Sequence, residues 1–304
     1  MNEIVVRLLT EAVGQSAVLF DEPMKKHTTF KIGGCADMII KPSNANQLMT
    51  VLKLIKQFDV PYFVLGNGSN ILVSDKGIRG VVIEISSEMA NCTVEGTKLY
   101  AECGIKLGGL ANVALNASLS GLEFASGIPG TLGGALYMNA GAYGGEMKDV
   151  VESVTYFDVD KEELITIPCE KCDFGYRKSL FSSGNKIIIS AVLNLKEGSY
   201  EEIKGEMAEL SKRRNDKQPV DKPSAGSTFK RPEGYFAGTL IQDTGLKGYR
   251  VGGAEVSEKH AGFVVNINNA TAEDVKNLIK DVQDKVYEKF GVKLEPEVKF
   301  VGEF

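Results

Sequence analysis

The sequence predicts an α+β fold with more than one lobe, and three observations support this prediction. The chain has 304 residues, of which 43% are hydrophobic and 25% are charged, so it can bury more than one core. Strand-like apolar runs and helical apolar spacings follow one another without regular alternation, which argues against a doubly wound sheet. Glycine makes up about 11% of the residues, against a usual ~7%, and its clustering indicates close backbone approaches.

The individual elements follow from apolar spacing, capping residues and turn residues. Helices are predicted after Pro42, at 107–119, at 200–214 and from Thr271 to Gly291. Strands are predicted on both sides of a loop at 66–70, in VVIEIS, in a hairpin that turns at 95–97, at 151–158, 164–167 and 186–195, and in the final LEPEVKFVG.

Composition excludes several classes of protein. With a net charge of -5 and a pI of about 5.4, we expect no nucleic-acid partner. Residues 1–20 lack the pattern of a signal peptide, and the apolar run at 187–195 is too short to span a membrane. Five scattered cysteines predict a reduced, cytoplasmic protein. Cys169 and Cys172 have CxxC spacing, which leaves a metal or redox role beside simple packing, but no nearby ligands complete a metal site.

Three glycine segments are the candidate functional features. Residues 66–70, GNGSN, lie between two predicted strands, where they fit either an ordinary turn or a backbone cradle for a phosphate. No helix follows them, so the dinucleotide fingerprint is not met. SGIPGTLGGALYMNAGAYGG fits either a tightly packed helix entrance or a backbone wall against a flat cofactor, and TTFKIGG has similar chemistry. Two such loops between strands favour a bound dinucleotide.

Seven segments occur in the order found in a known enzyme family: TTFKIGG, LGNGSN, SGIPGTLGGALYMNAGAYG, FGYRKSLF, PSAGSTFK, VSEKHAGF and LEPEVKFVG. On these segments, which extend over about residues 28–302, the chain resembles the UDP-N-acetylenolpyruvoylglucosamine reductases, also called UDP-N-acetylmuramate dehydrogenases, of bacterial peptidoglycan synthesis. A longer form of this family carries an inserted loop with a tyrosine that closes over the substrate. Residues 230–237 are too short for that insertion, so the chain resembles the compact form.

The resemblance implies a non-covalent FAD in a two-lobed domain of the vanillyl-alcohol oxidase/p-cresol methylhydroxylase type, followed by a C-terminal α+β substrate domain. A change to a basic, proline-punctuated composition near residue 200 suggests the boundary. We therefore expect an FAD-binding domain at 1–200, with lobes at about 1–85 and 86–200, and a substrate domain at 201–304. The last strand of the substrate domain would return Glu297 to the active site.

The reaction implied by the resemblance is the NADPH-dependent, FAD-mediated reduction of UDP-N-acetylenolpyruvoylglucosamine to UDP-N-acetylmuramate. Ser227 matches the family's proton donor, which passes a proton to the carbon that bears the carboxylate. A serine suffices because the enolate carbon is strongly basic, and no histidine relay is needed in a chain with two histidines. Arg177 matches an arginine whose planar charge suits the carboxylate, and Glu297 matches a glutamate that would stabilise the enolate.

Cofactor contacts are expected from the glycine segments and one histidine: Gly66, Asn67, Gly68, Ser69, Asn70, Gly127, Ile128, Pro129, Gly130, Thr131, Gly133 and His260. Substrate contacts are expected from Tyr176, Lys230 and Arg231, with Lys222 and Arg250 as further candidates for the diphosphate. We expect a monomer. The alternative functions are a flavin oxidase of the same fold and a non-catalytic nucleotide-binding module, in which Ser227 is a turn residue and the basic side chains only face water.

Overall fold

The computed structural model describes residues 1–182 and 185–304. The chain divides into two compact units. Met1–Leu19, Met38–Asn67 and Gly80–Arg213 form the first, and Phe20–Asp37, Gly68–Arg79 and Arg214–Phe304 form the second. Helices and strands mix in both units, as an α+β fold requires. The second unit takes in two short N-terminal segments besides the C-terminal third, so the functional domain bounds drawn from the sequence stay a prediction.

Four helices lie where they were predicted: α2 Ala45–Gln57, α3 Leu107–Asn116, α5 Tyr200–Lys217 and α7 Ala272–Phe290. Helix α3 ends three residues earlier than predicted, and three further helices were not predicted. Asn44 accepts a 3.0 Å hydrogen bond from Gln47 N at the start of α2. Thr271 and Asp274 form the predicted capping box of α7, and Gly291, with a φ of 69°, ends that helix. None of the helices in the described ranges has both the length and the apolar character that a membrane span requires. The helices are α1 Glu3–Val13, α2 Ala45–Gln57, α3 Leu107–Asn116, α4 Leu132–Met138, α5 Tyr200–Lys217, α6 Ala237–Asp243 and α7 Ala272–Phe290.

The strands are mostly short and antiparallel. In chain order they are β1 Val18–Pro23, β2 Cys35–Ile40, β3 Tyr62–Leu65, β4 Ile71–Val73, β5 Ile78–Glu84, β6 Cys92–Glu95, β7 Lys98–Glu102, β8 Leu119–Ser120, β9 Gly141–Ala142, β10 Gly145–Glu146, β11 Val151–Asp158, β12 Glu163–Pro168, β13 Lys186–Asn194, β14 Lys196–Glu197, β15 Ser224–Ser227, β16 Arg250–Val251, β17 Ala254–Val256, β18 Phe263–Asn266 and β19 Lys299–Val301. They confirm the predicted hairpin and the three long strands that follow it.

The first unit contains an antiparallel sheet with the strand order β12-β11-β13-β7-β6. Helix α4 packs on β7 and β13 of this sheet. Leu99, Val154 and Leu193 point from the sheet into a continuous apolar core and are fully buried. In the same unit β3 pairs with β5 in parallel, so the loop that follows β3 begins on a strand that is fixed on one side.

The second unit contains an antiparallel sheet with the order β15-β18-β17-β16, and α7 packs on β16 and β17. The predicted apolar face of α7 is buried in a separate core. Strand β19 pairs in parallel with β4 and is shorter than the predicted final strand at 294–302. The sheet carries Ser227 at the end of its edge strand, and the pairing of β19 with β4 anchors the chain just after Glu297.

Candidate active site

The loop at residues 66–70 joins β3 to β4, as predicted, and it contacts the second glycine segment. The side-chain Nδ2 of Asn67 donates a 2.7 Å hydrogen bond to the carbonyl oxygen of Pro129, 62 residues away in the chain. A Cβ atom added to Gly66 would lie 2.5 Å from Oγ1 of Thr131, closer than real Cβ contacts. The two segments therefore lie together, and an alanine at position 66 would have to displace the hydroxyl of Thr131.

Gly68 brings the same loop against the TTFKIGG segment. Its φ of 61° lies in the left-handed region, and an added Cβ would lie 2.2 Å from the carbonyl oxygen of His27. The carbonyl oxygen of Gly68 accepts a 3.2 Å hydrogen bond from Thr29 N. No side chain fits at this position, so the contact between the two segments depends on glycine.

Three successive N–H groups of the loop are suited to an anion. Within the described ranges, the N–H groups of Asn67, Gly68 and Ser69 donate no hydrogen bond to the chain. The carbonyl oxygen of Asn70 accepts a 3.0 Å hydrogen bond from Lys299 N, which holds the end of the loop in place. Successive N–H donors without an acceptor in the protein form an anion-binding concavity. This donor set fits the diphosphate of FAD.

The second glycine segment enters α4, whose N-cap is Thr131. The Oγ1 atom of Thr131 accepts a 3.3 Å hydrogen bond from Gly134 N. The N–H group of Gly133 donates to the carbonyl oxygen of Cys103 at 2.8 Å, and that of Ile128 donates to a carbonyl of the preceding turn at 3.0 Å. These two amides are engaged within the protein, which favours the helix-entrance alternative at their positions. The other residues of the segment stay predicted cofactor contacts.

Arg177 lies in a tight turn and has a strained backbone. Gly175 N donates a 2.9 Å hydrogen bond to the carbonyl oxygen of Lys178, which closes the turn around Tyr176 and Arg177. The φ of Arg177 is 54°, in the left-handed region that residues with a side chain rarely adopt. Its guanidinium carbon lies 5.3 Å from the ring centre of Tyr176, a side chain that is 59% exposed. Strain of this kind is concentrated at functional sites.

Asn139, which the sequence analysis missed, holds this turn in place. It is 1% exposed and ends α4 in the left-handed conformation. Its Nδ2 donates to the carbonyl oxygen of Gly175 at 3.2 Å and to Oε2 of Glu146 at 2.7 Å, and its Oδ1 accepts from Lys148 N at 3.0 Å. The signal in the sequence was an asparagine directly after a helix, since asparagine often ends helices in this conformation.

Ser227 is the last residue of β15, and it is exposed. It lies opposite Phe263 of β18, and a register shift separates this pair from Ser224 opposite Val265. Gly226 lies at the shift with a φ of 76°. Such an irregularity changes the direction in which a side chain leaves the strand, and it often occurs next to active sites.

Thr228, another residue that the sequence analysis missed, connects Ser227 to Glu297. It is 4% exposed, and its Oγ1 accepts a 2.9 Å hydrogen bond from Val264 N. Its own N–H donates to the carbonyl oxygen of Gly262, and its carbonyl oxygen accepts from Glu297 N, both at 2.8 Å. The residue after the predicted proton donor is thus fixed to two other parts of the second unit.

Glu297 precedes the last strand, and the prediction that this strand carries it is wrong. Strand β19 begins at Lys299, and the only pairing at Pro296 within the described residues is an isolated bridge to Phe229. The backbone of Glu297 bonds to Thr228 on one side and accepts a 3.3 Å hydrogen bond from Nδ2 of Asn70 on the other. Before Lys299, the backbone is therefore held by these individual hydrogen bonds and not by regular strand pairing.

His260 is a packed, neutral histidine. Its Nδ1 accepts a 3.1 Å hydrogen bond from Gly262 N, which assigns the ring proton to Nε2, and its ring contacts Phe263 edge-on at 5.1 Å between centres. Burial lowers the pKa of His260 below the ordinary value of 6.5. The ring therefore does not fit an acid, and His260 stays a predicted cofactor contact.

Two predicted substrate residues lie in the loop between β15 and α6. The Nζ atom of Lys230 lies 3.1 Å from Oε2 of Glu295, and both side chains are exposed. The guanidinium carbon of Arg231 lies 4.0 Å from the ring centre of Phe236, which is 60% exposed. Both basic residues stay predicted substrate contacts.

The CxxC pair shows the properties of packed thiols. Cys172 is fully buried, and burial raises its pKa to about 12. Burial also raises the pKa of Cys169, whose Sγ donates to the carbonyl oxygen of Lys148 at 3.5 Å. Among the described residues, no group of three His, Cys, Asp or Glu side chains is placed to hold a metal. A thiol with a raised pKa is a poor ligand and nucleophile, so packing is favoured for both.

Two family models match the chain. The model described as an FAD binding domain matches residues 36–167, and the model described as UDP-N-acetylenolpyruvoylglucosamine reductase, C-terminal domain, matches residues 218–301. The UDP-N-acetylenolpyruvoylglucosamine reductase of Caldanaerobacter subterraneus subsp. tengcongensis is 54% identical over 303 residues, 100% of both chains. The protein of the same name from Clostridioides difficile is 51% identical over 302 residues, 99% of both chains.

Solved structures agree with the sequence comparisons. The crystal structure of UDP-N-acetylenolpyruvylglucosamine reductase from Thermus caldophilus has a TM-score of 0.80 and 37% identity, and it covers 94% of this chain and 98% of its own. A variant of Phl p 4, a glucose oxidase, has a TM-score of 0.51 at 16% identity over 65% of this chain and 45% of its own, which shows likeness of fold alone. The predicted fold class is confirmed: an FAD-binding domain of the vanillyl-alcohol oxidase type with a further C-terminal domain.

Proposed function

The chain belongs to the UDP-N-acetylenolpyruvoylglucosamine reductase family, and from this premise we propose that it reduces the enolpyruvyl ether of UDP-N-acetylenolpyruvoylglucosamine to the lactyl ether of UDP-N-acetylmuramate. It is an FAD-dependent oxidoreductase of peptidoglycan precursor synthesis. We propose NADPH as the electron donor and a monomeric enzyme in the cytoplasm.

The residues at 67–69 would hold the diphosphate of FAD through their N–H groups. Their position is fixed by the hydrogen bond from Asn67 to Pro129 and by the packing of Gly68 on His27. Bound FAD would supply the hydride that reduces the methylene carbon of the enolpyruvyl group. The loop itself takes no part in the chemistry, because it contributes binding and orientation only.

Ser227 is the residue on which the assignment of mechanism depends. After hydride addition, the carbon that bears the carboxylate needs a proton, and the O–H bond of Ser227 breaks as the new C–H bond forms. The hydroxyl of Ser227 is exposed at an irregular strand end, where a substrate can reach it, and the three hydrogen bonds of the buried Thr228 hold the adjacent backbone in place. His260, whose Nδ1 accepts from Gly262 N and whose pKa is lowered by burial, is not an acid that could replace Ser227.

Arg177 and Glu297 would manage the charge that builds on the substrate carboxylate. The guanidinium of Arg177 is permanently charged and planar, so it can bond both oxygens of a carboxylate as negative charge moves onto them. Glu297, which we propose to share a proton with the enolate oxygen, has its backbone fixed to Thr228. Stabilising the developing charge in this way lowers the barrier more than binding the ground state does.

The test is a Ser227→Ala variant followed by its flavin absorbance in two half-reactions. NADPH should bleach the flavin at the rate of the unmodified enzyme, and the enolpyruvyl substrate should restore the colour roughly 10²–10⁴ times more slowly, the usual contribution of a general acid. Ser224→Ala on the same strand is the matched control and should behave as the unmodified enzyme. Normal reoxidation of Ser227→Ala would remove the serine from the mechanism, and stoichiometric peroxide would instead indicate an oxidase.

We also propose that NADPH and the sugar nucleotide bind in turn, because the sequence carries no dinucleotide fingerprint that would give NADPH a site of its own. Initial rates measured against one substrate at several fixed levels of the other should then give parallel double-reciprocal lines. Intersecting lines would show that both substrates bind together.

A further inference from the structure

Thr29, in the TTFKIGG segment, bonds to the backbone of two segments that the proposed function uses. Its N–H group donates a 3.2 Å hydrogen bond to the carbonyl oxygen of Gly68, in the loop that fits the FAD diphosphate. Its Oγ1 donates a 2.7 Å hydrogen bond to the carbonyl oxygen of Ser224, 195 residues away in the chain. Ser224 begins β15, and Ser227 ends it. Within the second unit, one residue therefore joins the cofactor loop to the strand of the predicted proton donor.

A second connection lies beside the first and passes through Asn266. The Nδ2 atom of Asn266 donates a 3.2 Å hydrogen bond to the carbonyl oxygen of Phe30, the residue after Thr29. The N–H group of Asn266 donates at 2.9 Å to the carbonyl oxygen of Pro223, the residue before Ser224. Two neighbouring residues of the TTFKIGG segment are thus connected to two neighbouring residues at the start of β15. Two adjacent connections fix the alignment of these segments as well as their contact.

Buried apolar side chains support the same contact. Phe30 and Ile32 are 1% and 2% exposed, and they belong to the same hydrophobic core as Ala225 and Phe229, which lie on the two sides of Ser227 in the chain. Such a core is close-packed, so it transmits small displacements instead of absorbing them. The backbone around Ser227 is therefore packed in the core that also holds the TTFKIGG segment.

Strand β15 depends on such contacts because its own pairing is irregular. It lies at the edge of its sheet beside β18, and a register shift interrupts the pairing between Ser224 and Ser227. Three residues of chain separate the two serines, a distance of at most about 10 Å. A displacement of Ser224 is therefore expected to move the hydroxyl of Ser227.

We propose that Thr29 is a positioning residue that fixes Ser227 relative to the loop that holds FAD. This proposal rests on the proposed function, in which Ser227 gives the proton. In that reaction the hydride and the proton reach adjacent carbons of one enolpyruvyl group, so the two donors need a fixed separation. Thr29 contributes by bonding the backbone of both segments, and it touches neither the substrate nor the reacting atoms.

The test is Thr29→Val in the full-length, FAD-loaded enzyme, which keeps the side-chain shape and removes the donor to Ser224. The variant retains the N–H group that bonds Gly68, so FAD affinity and flavin reduction by NADPH should be unchanged. Reoxidation by saturating enolpyruvyl substrate should be roughly tenfold to a hundredfold slower, because a misplacement of about 1 Å has an effect of this size. Thr29→Ser, which keeps the hydroxyl, should restore the rate.

Thr10→Val is the matched control. The Oγ1 atom of Thr10 also donates a 2.7 Å hydrogen bond to a backbone carbonyl, that of Val6, but it lies on α1 of the first unit. Both half-reactions should keep their rates in this variant. Thr29 is half-buried, so water can bond the carbonyl group that Thr29→Val frees, and the variant is expected to fold. Thr29→Ala removes the same donor and provides a second variant.

Combining Thr29→Val with Ser227→Ala shows whether Thr29 acts through the serine. A positioning residue has no further effect once the group that it positions is gone, so the double variant should reoxidise at the rate of Ser227→Ala alone. A destabilisation unrelated to Ser227 would instead slow both half-reactions, and would slow the double variant further.

The proposal is overturned by reoxidation of Thr29→Val at the unmodified rate, by equal slowing of its two half-reactions, by a slow Thr29→Ser, or by further slowing in the double variant. Slow reoxidation of Ser227→Ala beside normal reoxidation of Thr29→Val refutes the role of Thr29 alone. Normal reoxidation of Ser227→Ala refutes the proposed role of the serine and, with it, the role of Thr29.

Discussion

Replacing Gly68 with alanine tests the loop that is proposed to hold FAD. The new Cβ would lie 2.2 Å from the carbonyl oxygen of His27 and 2.9 Å from Cα of Thr28, whereas ordinary contact begins at 3.4 Å. Since both neighbours are backbone atoms, the loop has to move by about 1 Å, more than the 0.5 Å range of N–H···O hydrogen-bond lengths. The N–H groups at 67–69 then lose their alignment with the diphosphate. Losing one charge-assisted bond of about 1.5–3 kcal/mol weakens FAD binding roughly ten- to hundredfold.

Gly96→Ala is the matched control for this prediction. Gly96 lies in the hairpin between β6 and β7 with a φ of 59°, close to that of Gly68, and an added Cβ would meet no atom of the described chain within 4 Å. It therefore introduces the same left-handed strain, about 1–2 kcal/mol, without the clash. The apoproteins are titrated with FAD, flavin fluorescence reports binding, and urea unfolding reports stability.

The expected result is a large loss of FAD affinity in Gly68→Ala and none in Gly96→Ala, with some loss of stability in both. Equal losses of FAD affinity would mean that general destabilisation is responsible. FAD binding by Gly68→Ala at the unmodified affinity would refute the assignment of this loop to the diphosphate.

Further predictions concern the strained arginine, the half-buried His260 and the thiols. Arg177→Gly should raise the free energy of unfolding by about 1 kcal/mol, because glycine tolerates the left-handed φ. It should also slow flavin reoxidation by the enolpyruvyl substrate, and reoxidation at or above the unmodified rate would contradict the role of Arg177. Because burial lowers the pKa of His260 in the folded state, the unfolded chain takes up this proton first as the pH falls through 6.5. Acidification from about pH 7.5 to 5.5 should therefore cost less stability in His260→Gln than in the unmodified protein, as urea unfolding at each pH would show. Burial raises the pKa values of Cys103 and Cys172 to about 12, so a thiol reagent at neutral pH should label exposed Cys35 in the native protein and leave these two for the unfolded chain.

Local patterns were enough to predict much of this fold. The capping box at Thr271 and the glycine at 291 mark both ends of α7, because caps satisfy backbone groups within one turn of the helix. The bounds of β11 were predicted correctly, since its alternation and its flanking turns are read from adjacent residues. The loop at 66–70 was also placed correctly between two strands, because glycine, asparagine and serine interrupt two apolar runs there.

The residues that position the candidate site could not be predicted in the same way. Asn139 and Thr228 are buried polar residues, and the groups they bond are up to 69 residues away in the chain. Nothing in a local window distinguishes a threonine that will accept a bond from Val264 from one that faces water. Glu297 was misplaced for a related reason. A regular strand was predicted from composition, but the backbone there bonds to Thr228 and Asn70 and forms no ladder.

The bonds of Thr228 imply that the proton donor and the glutamate are positioned together. The N–H group of Thr228 donates to the carbonyl oxygen of Gly262, and its carbonyl oxygen accepts from Glu297 N. Its hydroxyl oxygen accepts from Val264 N. Thr228→Val would keep the shape and leave the buried Val264 N–H without an acceptor, at a cost of about 1–3 kcal/mol. A shift of this residue to relieve that cost moves Ser227, its covalent neighbour, and Glu297, its backbone partner, at the same time. Two groups that act on the same enolate, one at its carbon and one at its oxygen, are therefore coupled through a residue that contacts no substrate in the proposed mechanism.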